Sequence, residues 1–375
     1  MNLEDASSKL EGASAAFVEA LSQMSSLVQS TPRIQKLRDE ARALMGSTPA
    51  DVVYREHALI LKRYRRPEGV EPAGTLPLLL VPSLVNRSDI LDLLPDESMA
   101  RWLVHQGHDV FLVDWGEANP GQRQCKLDYY VDHYLDRVIR RVCKVAKVPR
   151  IHTLGYCLGG TLLTLYLASH KDAPVASFTA MTTPVNFVDK GMLSWWSRKE
   201  HFDVDKIVNA FGNVPEQFFR STFPWIVPTG NIRKLKTIAD KHGDDAFLKS
   251  FLALDIWITE NVPFPGEAYR QLIRELYQEN RLMEDTMMVG GRTARLGDIK
   301  TPLLAFVAKH DHVAPCDSCQ ALHDRAGSLK RELAVIEAGH LGPALGRDAR
   351  GKRTDEFWKR LDAWLRDQDL PRARS

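Results

Sequence analysis

The sequence lacks the features that mark membrane, disulfide-rich and nucleic-acid-binding proteins. Its most apolar stretch, residues 76–85, falls short of the roughly 18 residues needed to span a bilayer. Five cysteines at irregular spacing favour a reducing, cytoplasmic environment over a disulfide framework. A net charge of +2 gives no nucleic-acid-binding signature. Because the first residues have no basic segment followed by an apolar one, we expect neither a secretory signal nor a transmembrane segment.

What is present is the composition of an ordinary globular protein, 44% hydrophobic and 26% charged. Its 375 residues suit one large α/β domain that carries an insertion. Short apolar segments bounded by Gly, Pro or Asp alternate with helical ones. The predicted strands are residues 76–82, 109–115, 151–155, 177–185, 303–308 and 332–337. This alternation predicts an α/β fold with a mainly parallel, doubly wound sheet.

Helical periodicity fills the gaps between these strands. Ser98 is a suitable N-cap for a short helix that ends near Gly107. Residues 128–147 place an apolar stripe on one face, formed by Val131, Leu135, Val138, Val142 and Val145. A final amphipathic helix carries Phe357, Leu361, Trp364 and Leu365. Helices with one apolar face fit against a buried sheet.

The alternation stops between residues 186 and 300, where no clear strand is found. We interpret this stretch as a mostly helical cap domain inserted into a core of residues 51–185 and 301–375. Residues 1–50 are predicted to be a helical arm or lid, broken at Pro32. The aromatic residues of the cap either form its own core or line a substrate channel: Trp195, Trp196, Phe202, Phe211, Phe218, Phe219, Phe223, Trp225 and Trp257.

The stretch GYCLGG, residues 155–160, joins a predicted strand to a predicted helix. G-x-C-x-G-G in this setting is typical of a nucleophile elbow, in which Gly155 and Gly159 remove Cβ atoms that would clash with the turn. Gly160 allows the helix to lie close to the sheet. We predict that Cys157 is the nucleophile, with the helix N-terminus favouring its thiolate. The alternative is a glycine turn around a buried structural cysteine.

A base and an orienting acid follow late strands in the order expected for this fold. Asp311 comes after strand 303–308, and His340 comes after strand 332–337. Both would lie at carboxyl ends of parallel strands, where such folds assemble their sites. The predicted triad is therefore Cys157, Asp311 and His340. For an oxyanion hole, the backbone N–H groups of Val85 and Leu158 are candidates, although the loop around Val85 also fits an ordinary polar turn.

The histidines and cysteines outside this triad give little support for metal or redox chemistry. His310 and His312 flank Asp311, but residues that alternate in this way do not converge on one ion, so we expect no metal. His312 is assigned a supporting role, holding the loop or shaping the site. Cys316 and Cys319 form one C-x-x-C without a second pair, which disfavours zinc and gives little support to a redox role. The remaining thiols are interpreted as structural: Cys125 and Cys143.

From about residue 52 onward the chain resembles the catalytic subunit of class III polyhydroxyalkanoate (PHA) synthases. The resembling stretches occur in order: LVNRSDILDLLPDESMARWLVHQGHDVFLVDWG, GYCLGG, TTPVNF, FDVDKIVNAFGNVPEQFF, FLALDIW, YRQLIRELYQENRLM, VGGRTARLGDIKTPLL and KHDHVAP. The family's cysteine elbow, D-H-x-x-P aspartate and late G-H histidine correspond to Cys157, Asp311 and His340. Two departures stand out: Leu158, where class III members commonly have glutamine, and the sequence LGPALGRDARGKR after His340.

The resemblance implies an α/β-hydrolase fold and an acyltransferase that polymerises (R)-3-hydroxyacyl-CoA, such as 3-hydroxybutyryl-CoA, into polyester. CoA would be released as the acyl group passes to Cys157, and no cofactor is implied because the CoA thioester is the substrate. The implied partners are the growing polyester and its granule, a second copy of the chain and an accessory synthase subunit, in the cytoplasm at the granule surface. Two other functions stay open: a thioesterase or polyester depolymerase, and a noncatalytic granule-binding or partner subunit.

Overall fold

The computed structural model describes residues 31–222 and 240–369. Its strands are β1 (Ala50–Glu56), β2 (Leu59–Tyr64), β3 (Leu78–Val81), β4 (Val110–Asp114), β5 (Ile151–Tyr156), β6 (Val175–Met181), β7 (Met288–Val289), β8 (Arg292–Thr293), β9 (Leu303–Ala308) and β10 (Arg331–Ile336). Eight of them form one sheet in the order β1-β2-β4-β3-β5-β6-β9-β10, and β7 pairs only with β8. The α/β class and the doubly wound sheet are confirmed.

The six predicted strands form the parallel part of the sheet. β4, β3, β5, β6, β9 and β10 run in the same direction. Every residue of β3, β5, β6 and β9 is buried, as expected for parallel strands covered on both faces. The fourth predicted strand is shorter than expected, because the chain leaves the sheet after Met181 instead of continuing to Val185.

Two antiparallel strands at one edge were not predicted. β1 pairs with β2, and β2 pairs with β4, both antiparallel. Their sequences, ADVVYRE and LILKRY, mix charged and apolar residues because an edge hairpin is only partly buried. A search for continuous apolar segments therefore passes over them.

Helices cover both faces of the sheet. They are α1 (Pro32–Leu44), α2 (Met99–His105), α3 (Asp136–Ala146), α4 (Leu158–Ser169), α5 (Met192–Trp196), α6 (Val204–Phe211), α7 (Glu216–Thr222), α8 (Asp245–Thr259), α9 (Gly266–Gln271), α10 (Cys316–Arg325), α11 (Gly342–Leu345) and α12 (Glu356–Asp369). Shorter helical segments span Ser88–Asp92, Pro120–Gln122, Leu127–Tyr129 and Leu296–Asp298, and π-helical turns span Tyr130–Leu135 and Leu272–Gln278. As predicted, Ser98 caps α2 by accepting a 2.8 Å hydrogen bond from the Arg101 N–H.

Between β6 and β9, the described residues 182–222 and 240–302 form helices joined by loops, together with the β7–β8 hairpin and one bridge between Val214 and Phe264. Phe219 packs against Phe264 and Tyr269, at ring-centroid distances of 6.2 and 5.8 Å, and all three join the core cluster beneath. Trp195 and Phe211 are exposed instead. Phe223 and Trp225 lie outside the described residues. The limits given to the cap and the core stay predictions.

The N-terminal helix α1 packs along α8 of the cap. Pro32, predicted as a break, occupies its first turn, and the earlier part of the predicted arm lies outside the described residues. The buried face of α1 consists of Ile34, Leu37 and Ala41. Its cationic side pairs with carboxylates of α8 and the residue that follows: Arg33 with Asp245 at 2.6 Å, Arg38 with Asp255 at 3.0 Å and Arg42 with Glu260 at 2.6 Å. Charge and apolar burial therefore both hold α1 against α8.

This ionic contact predicts a salt-sensitive loss of stability when one charge is reversed. Arg42→Glu should lower the free energy of unfolding by about 1 kcal/mol at low salt, because it places two carboxylates together at a partly exposed site. The loss should shrink in molar NaCl, where such pairs are screened. Urea unfolding of Arg42→Glu alone and in a Glu260→Gln background checks this. Glu260 is neutralised and not reversed, because it also lies 3.8 Å from Arg38. Arg42→Glu should cost clearly less in that background, and an equal loss in both would contradict the interpretation.

Candidate active site

Cys157 occupies the sharp turn between β5 and α4. Its backbone has φ 54° and ψ −127°, a conformation that non-glycine residues rarely adopt. The Cys157 N–H donates a 3.0 Å hydrogen bond to the carbonyl of Met181 at the end of β6, which fixes the turn against the neighbouring strand. The residue is half-buried at the carboxyl edge of the sheet.

The glycines of the motif allow backbone segments to approach closely. A Cβ on Gly155 would overlap the backbone of Gly160, and a Cβ on Gly159 would overlap the carbonyl oxygens of Val81 and Pro82. Gly160 lies against the side chain of Thr183, in the segment that follows β6. The sequence GYCLGG therefore brings α4 close to both neighbouring strand ends, as an elbow requires.

Asp311 is a buried carboxylate in the turn after β9. One oxygen, Oδ1, accepts 2.8 Å hydrogen bonds from the N–H groups of Val313 and Ala314. The other, Oδ2, lies 2.7 Å from Nδ1 of His340. Its side chain is fully shielded from solvent, so these three donors take the place of water around the charge.

His340 lies between Asp311 and Cys157 in the loop after β10. Since Nδ1 is hydrogen-bonded to Asp311, Nε2 is the ring nitrogen left for Cys157. Burial disfavours the charged ring, but the nearby Asp311 and Cys157 side chains outweigh it and raise the pKa of His340 to about 10. The three predicted triad residues thus lie together, with His340 hydrogen-bonded to Asp311 and close enough to Cys157 to interact with it.

The loop expected to complete an oxyanion hole is held by two tryptophans. The indole N–H of Trp115 donates to the carbonyl of Pro82 at 3.0 Å, and that of Trp257, in α8, donates to the carbonyl of Arg87 at 2.8 Å. The N–H of Val85 points to Oγ of Ser83 at 3.2 Å. Leu158 is the first residue of α4, so its N–H has no acceptor within the helix. Their role in an oxyanion hole stays a prediction.

The other candidates lie apart from this series. His312 is exposed, and its supporting role stays a prediction. His310 turns outward to Glu337, at 3.0 Å. Cys316 and Cys319 are free thiols whose pKa values are raised, chiefly by burial. Within residues 31–222 and 240–369, no three His, Cys, Asp or Glu side chains are grouped so as to hold a metal ion. None of the helices in these two stretches combines the length and apolarity that a bilayer crossing requires.

Two tyrosines beside the site were not singled out from the sequence. The ring of Tyr156 lies 5.4 Å from that of His340. Tyr277 belongs to the π-helical turns of the cap and packs on Phe187 at 4.7 Å; burial, and then the charge of Cys157, raise its pKa. The sequence predicts that Tyr156 lies at the end of β5, but no local pattern indicates that its ring contacts His340. Tyr277 is recognisable only from the folded chain.

The raised pKa of His340 predicts a pH-dependent contribution to stability. The folded-state pKa of about 10 exceeds the ordinary value of 6.5, so the stabilisation is complete below pH 6.5 and is lost as the pH rises through 10. Urea unfolding of the wild type and of His340→Gln should therefore give free energies whose difference shrinks between these pH values. Titrating groups remote from His340 cancel in that difference, and a gap that stays constant or widens would contradict the imidazolium.

Comparison with known proteins adds independent information. Residues 77–346 match the family described as the alpha/beta hydrolase fold. The poly(3-hydroxyalkanoate) polymerase subunit PhaC of Allochromatium vinosum is 33% identical over 327 residues, covering 86% of this chain and 90% of that protein. The protein of the same name from Haloferax mediterranei is 30% identical over 326 residues, covering 86% of this chain and 65% of that one.

A solved structure also matches the fold over nearly the whole chain. A membrane phospholipase A, described as a bacterial virulence factor, superposes with a TM-score of 0.50 at 14% sequence identity. The match covers 96% of this chain and 100% of that one. At this identity the likeness concerns the fold alone.

Proposed function

Because the chain belongs to the PhaC family of poly(3-hydroxyalkanoate) polymerase subunits, which has the α/β-hydrolase fold, we propose that it polymerises (R)-3-hydroxyacyl-CoA into polyester and releases CoA. It is an enzyme, an acyltransferase, and the substrate we propose is a short-chain thioester such as 3-hydroxybutyryl-CoA. The observation that supports the mechanism is the 2.7 Å contact of Asp311 with Nδ1 of His340, on a ring whose pKa also responds to Cys157.

In the first half-reaction, Sγ of Cys157 attacks the carbonyl carbon of the thioester. The developing oxyanion is held by the N–H of Leu158 and by that of Val85, which exchanges its contact with Ser83 for the substrate. As the bond from carbon to the CoA sulfur breaks, the imidazolium of His340 donates its proton to that sulfur. CoA leaves as a thiol, and the acyl group stays on Cys157 as a new thioester.

In the second half-reaction, His340 acts as a base. Acylation removes the negative charge of Cys157, which is one of the contributions that raise the pKa of His340, so the neutral ring is favoured. That ring accepts the proton of a hydroxyl from another acyl unit or chain end. The hydroxyl oxygen attacks the Cys157 thioester, an ester forms, and the thiolate leaves beside the re-formed imidazolium.

A thiol suits this sequence of transfers better than a hydroxyl. Exchange between two thioesters is nearly balanced in energy, so the acyl group is stored without a large loss of driving force. A thiol also loses its proton more easily than a hydroxyl, which simplifies activation by His340. The free energy of the CoA thioester thus remains for ester formation.

Assembly and location follow from the same proposal. The relatives are named as polymerase subunits, which supports a chain that works with a second copy of itself and with an accessory subunit. Its product would be a growing polyester, so the chain would act at the surface of a polymer granule. The class III assignment rests on the resembling stretches. Leu158 departs from it, because class III members commonly have glutamine at this position.

The direct test is incubation of the purified protein with 3-hydroxybutyryl-CoA, with and without a candidate accessory subunit. Released thiol and precipitated polymer are expected together. Cys157→Ala should lower CoA release by at least about 1,000-fold, because it removes the nucleophile. Cys143→Ala is the matched control and should keep the wild-type rate, since that half-buried thiol lies in α3.

Each other outcome would assign a different function to the protein. CoA release with free 3-hydroxybutyrate and no polymer would assign a thioesterase. Polyester degradation without polymer synthesis would assign a depolymerase. No CoA release under either condition would assign a noncatalytic subunit. Undiminished release by Cys157→Ala would exclude the cysteine-bound intermediate.

Trp257 provides a second test, of the loop that includes Val85. Trp257→Phe removes the N–H that holds the Arg87 carbonyl, so the loop should relax and kcat should fall about tenfold with little change in KM. Trp364→Phe is the matched control, because its buried indole N–H has no hydrogen-bond partner to lose among the described residues. Steady-state CoA release measures both. Equal effects of the two substitutions would show that the Arg87 contact does not position the loop.

A further inference from the structure

Tyr156 is the residue of the elbow that the mechanism leaves without a role. It ends β5 immediately before Cys157, and its side chain is 1% exposed. Its ring centroid lies 5.4 Å from that of His340, with 40° between the ring planes. The two rings are therefore within the centroid distance at which an aromatic ring attracts a cation.

The hydroxyl group of Tyr156 does not account for this placement. Among the described residues it has no hydrogen-bond partner, and it is shielded from solvent. Burial, together with the charges of Cys157 and Asp311, raises the pKa of Tyr156 far above its ordinary value, so the side chain stays neutral. A phenolate paired with His340 is thereby excluded, and the contact between the two side chains is one between a neutral phenol ring and the imidazole.

We propose that Tyr156 is a positioning residue, whose ring holds the imidazole of His340 between Asp311 and Cys157 and favours its protonated form. A ring face carries partial negative charge, so it stabilises an imidazolium more than a neutral imidazole. It also limits rotation of a side chain that is otherwise fixed only at Nδ1 and Nε2. This inference rests on the catalytic role proposed for His340.

The groups that set the charge of His340 come from several elements. Asp311 after β9 and Cys157 of the elbow act on it directly. Cys319 of α10 interacts with both of these charges, and Tyr277 of the cap interacts with Cys157. Tyr156 differs from Cys319 and Tyr277 because its ring contacts His340 itself, and that contact persists when Cys157 is acylated.

The test compares two substitutions of Tyr156 by the pKa of His340 and by kcat for CoA release. Tyr156→Leu removes the ring and should lower the pKa of His340 by about one unit, measured by NMR of the labelled imidazole. Its kcat for CoA release should fall about tenfold with KM unchanged. Tyr156→Phe keeps the ring, so it should retain both the pKa and kcat within twofold, and its thermal midpoint should rise because no hydroxyl is left unpaired.

A control and a reserve variant complete the design. Tyr166→Leu removes a comparable stacked contact, with His170 at 4.4 Å, and should leave the pKa of His340 unchanged. Should Tyr156→Leu not fold, Tyr156→Met provides a flexible apolar side chain without a ring. An unchanged His340 pKa in the ring-free variant, or a Phe variant as impaired as it, would overturn the proposal. A shifted pKa with unchanged CoA release would uphold the contact but overturn the positioning role of Tyr156, whereas undiminished release by Cys157→Ala would overturn the proposed function itself.

Discussion

The site depends on one buried charge, the carboxylate of Asp311. A carboxylate removed from water must be compensated by hydrogen bonds and an opposite charge. Two backbone N–H groups satisfy Oδ1 and fix the side chain, which leaves Oδ2 for a single donor, Nδ1 of His340. That contact orients the ring, raises its pKa and leaves Nε2 as the ring nitrogen for Cys157. In the proposed mechanism, the reactivity of the thiol therefore depends on the turn that follows β9.

The cap is joined to the same region through a second buried carboxylate. Glu97, 1% exposed, accepts a 2.7 Å hydrogen bond from Ser250 of α8 and pairs with Arg347 and Arg353. Both arginines belong to the segment after His340 that departs from the resembling family. Together with the contact between Trp257 and the Arg87 carbonyl, this cluster ties α8 to two loops of the site. Movement of α8 would therefore displace both the loop that follows His340 and the loop that includes Val85.

The sequence was sufficient to locate strands and site residues wherever burial produces a local pattern of apolar residues. Continuous apolar segments marked the parallel strands, and the positions of Asp311 and His340 directly after two of them located both side chains. It was insufficient where a contact joins distant parts of the chain, as for Tyr156 with His340. The edge hairpin of β1 and β2 was missed because half-exposed strands carry charged residues. The hydrogen bond that the Val85 N–H donates to Oγ of Ser83 is likewise not predictable from any periodic pattern in the sequence.

In the proposed mechanism, the choice between polymer and free acid falls in the acyl-enzyme state. His340 is then a neutral base, and it activates whichever hydroxyl reaches it, whether from water or from a polyester chain. The chemistry of the triad cannot distinguish the two nucleophiles, because both lose a proton to the same nitrogen. Selection must come from access, and apolar side chains of the cap region, such as Phe187 against Tyr277, reduce the access of water. On this view the α/β core supplies acyl transfer, and the cap makes the transfer a polymerisation.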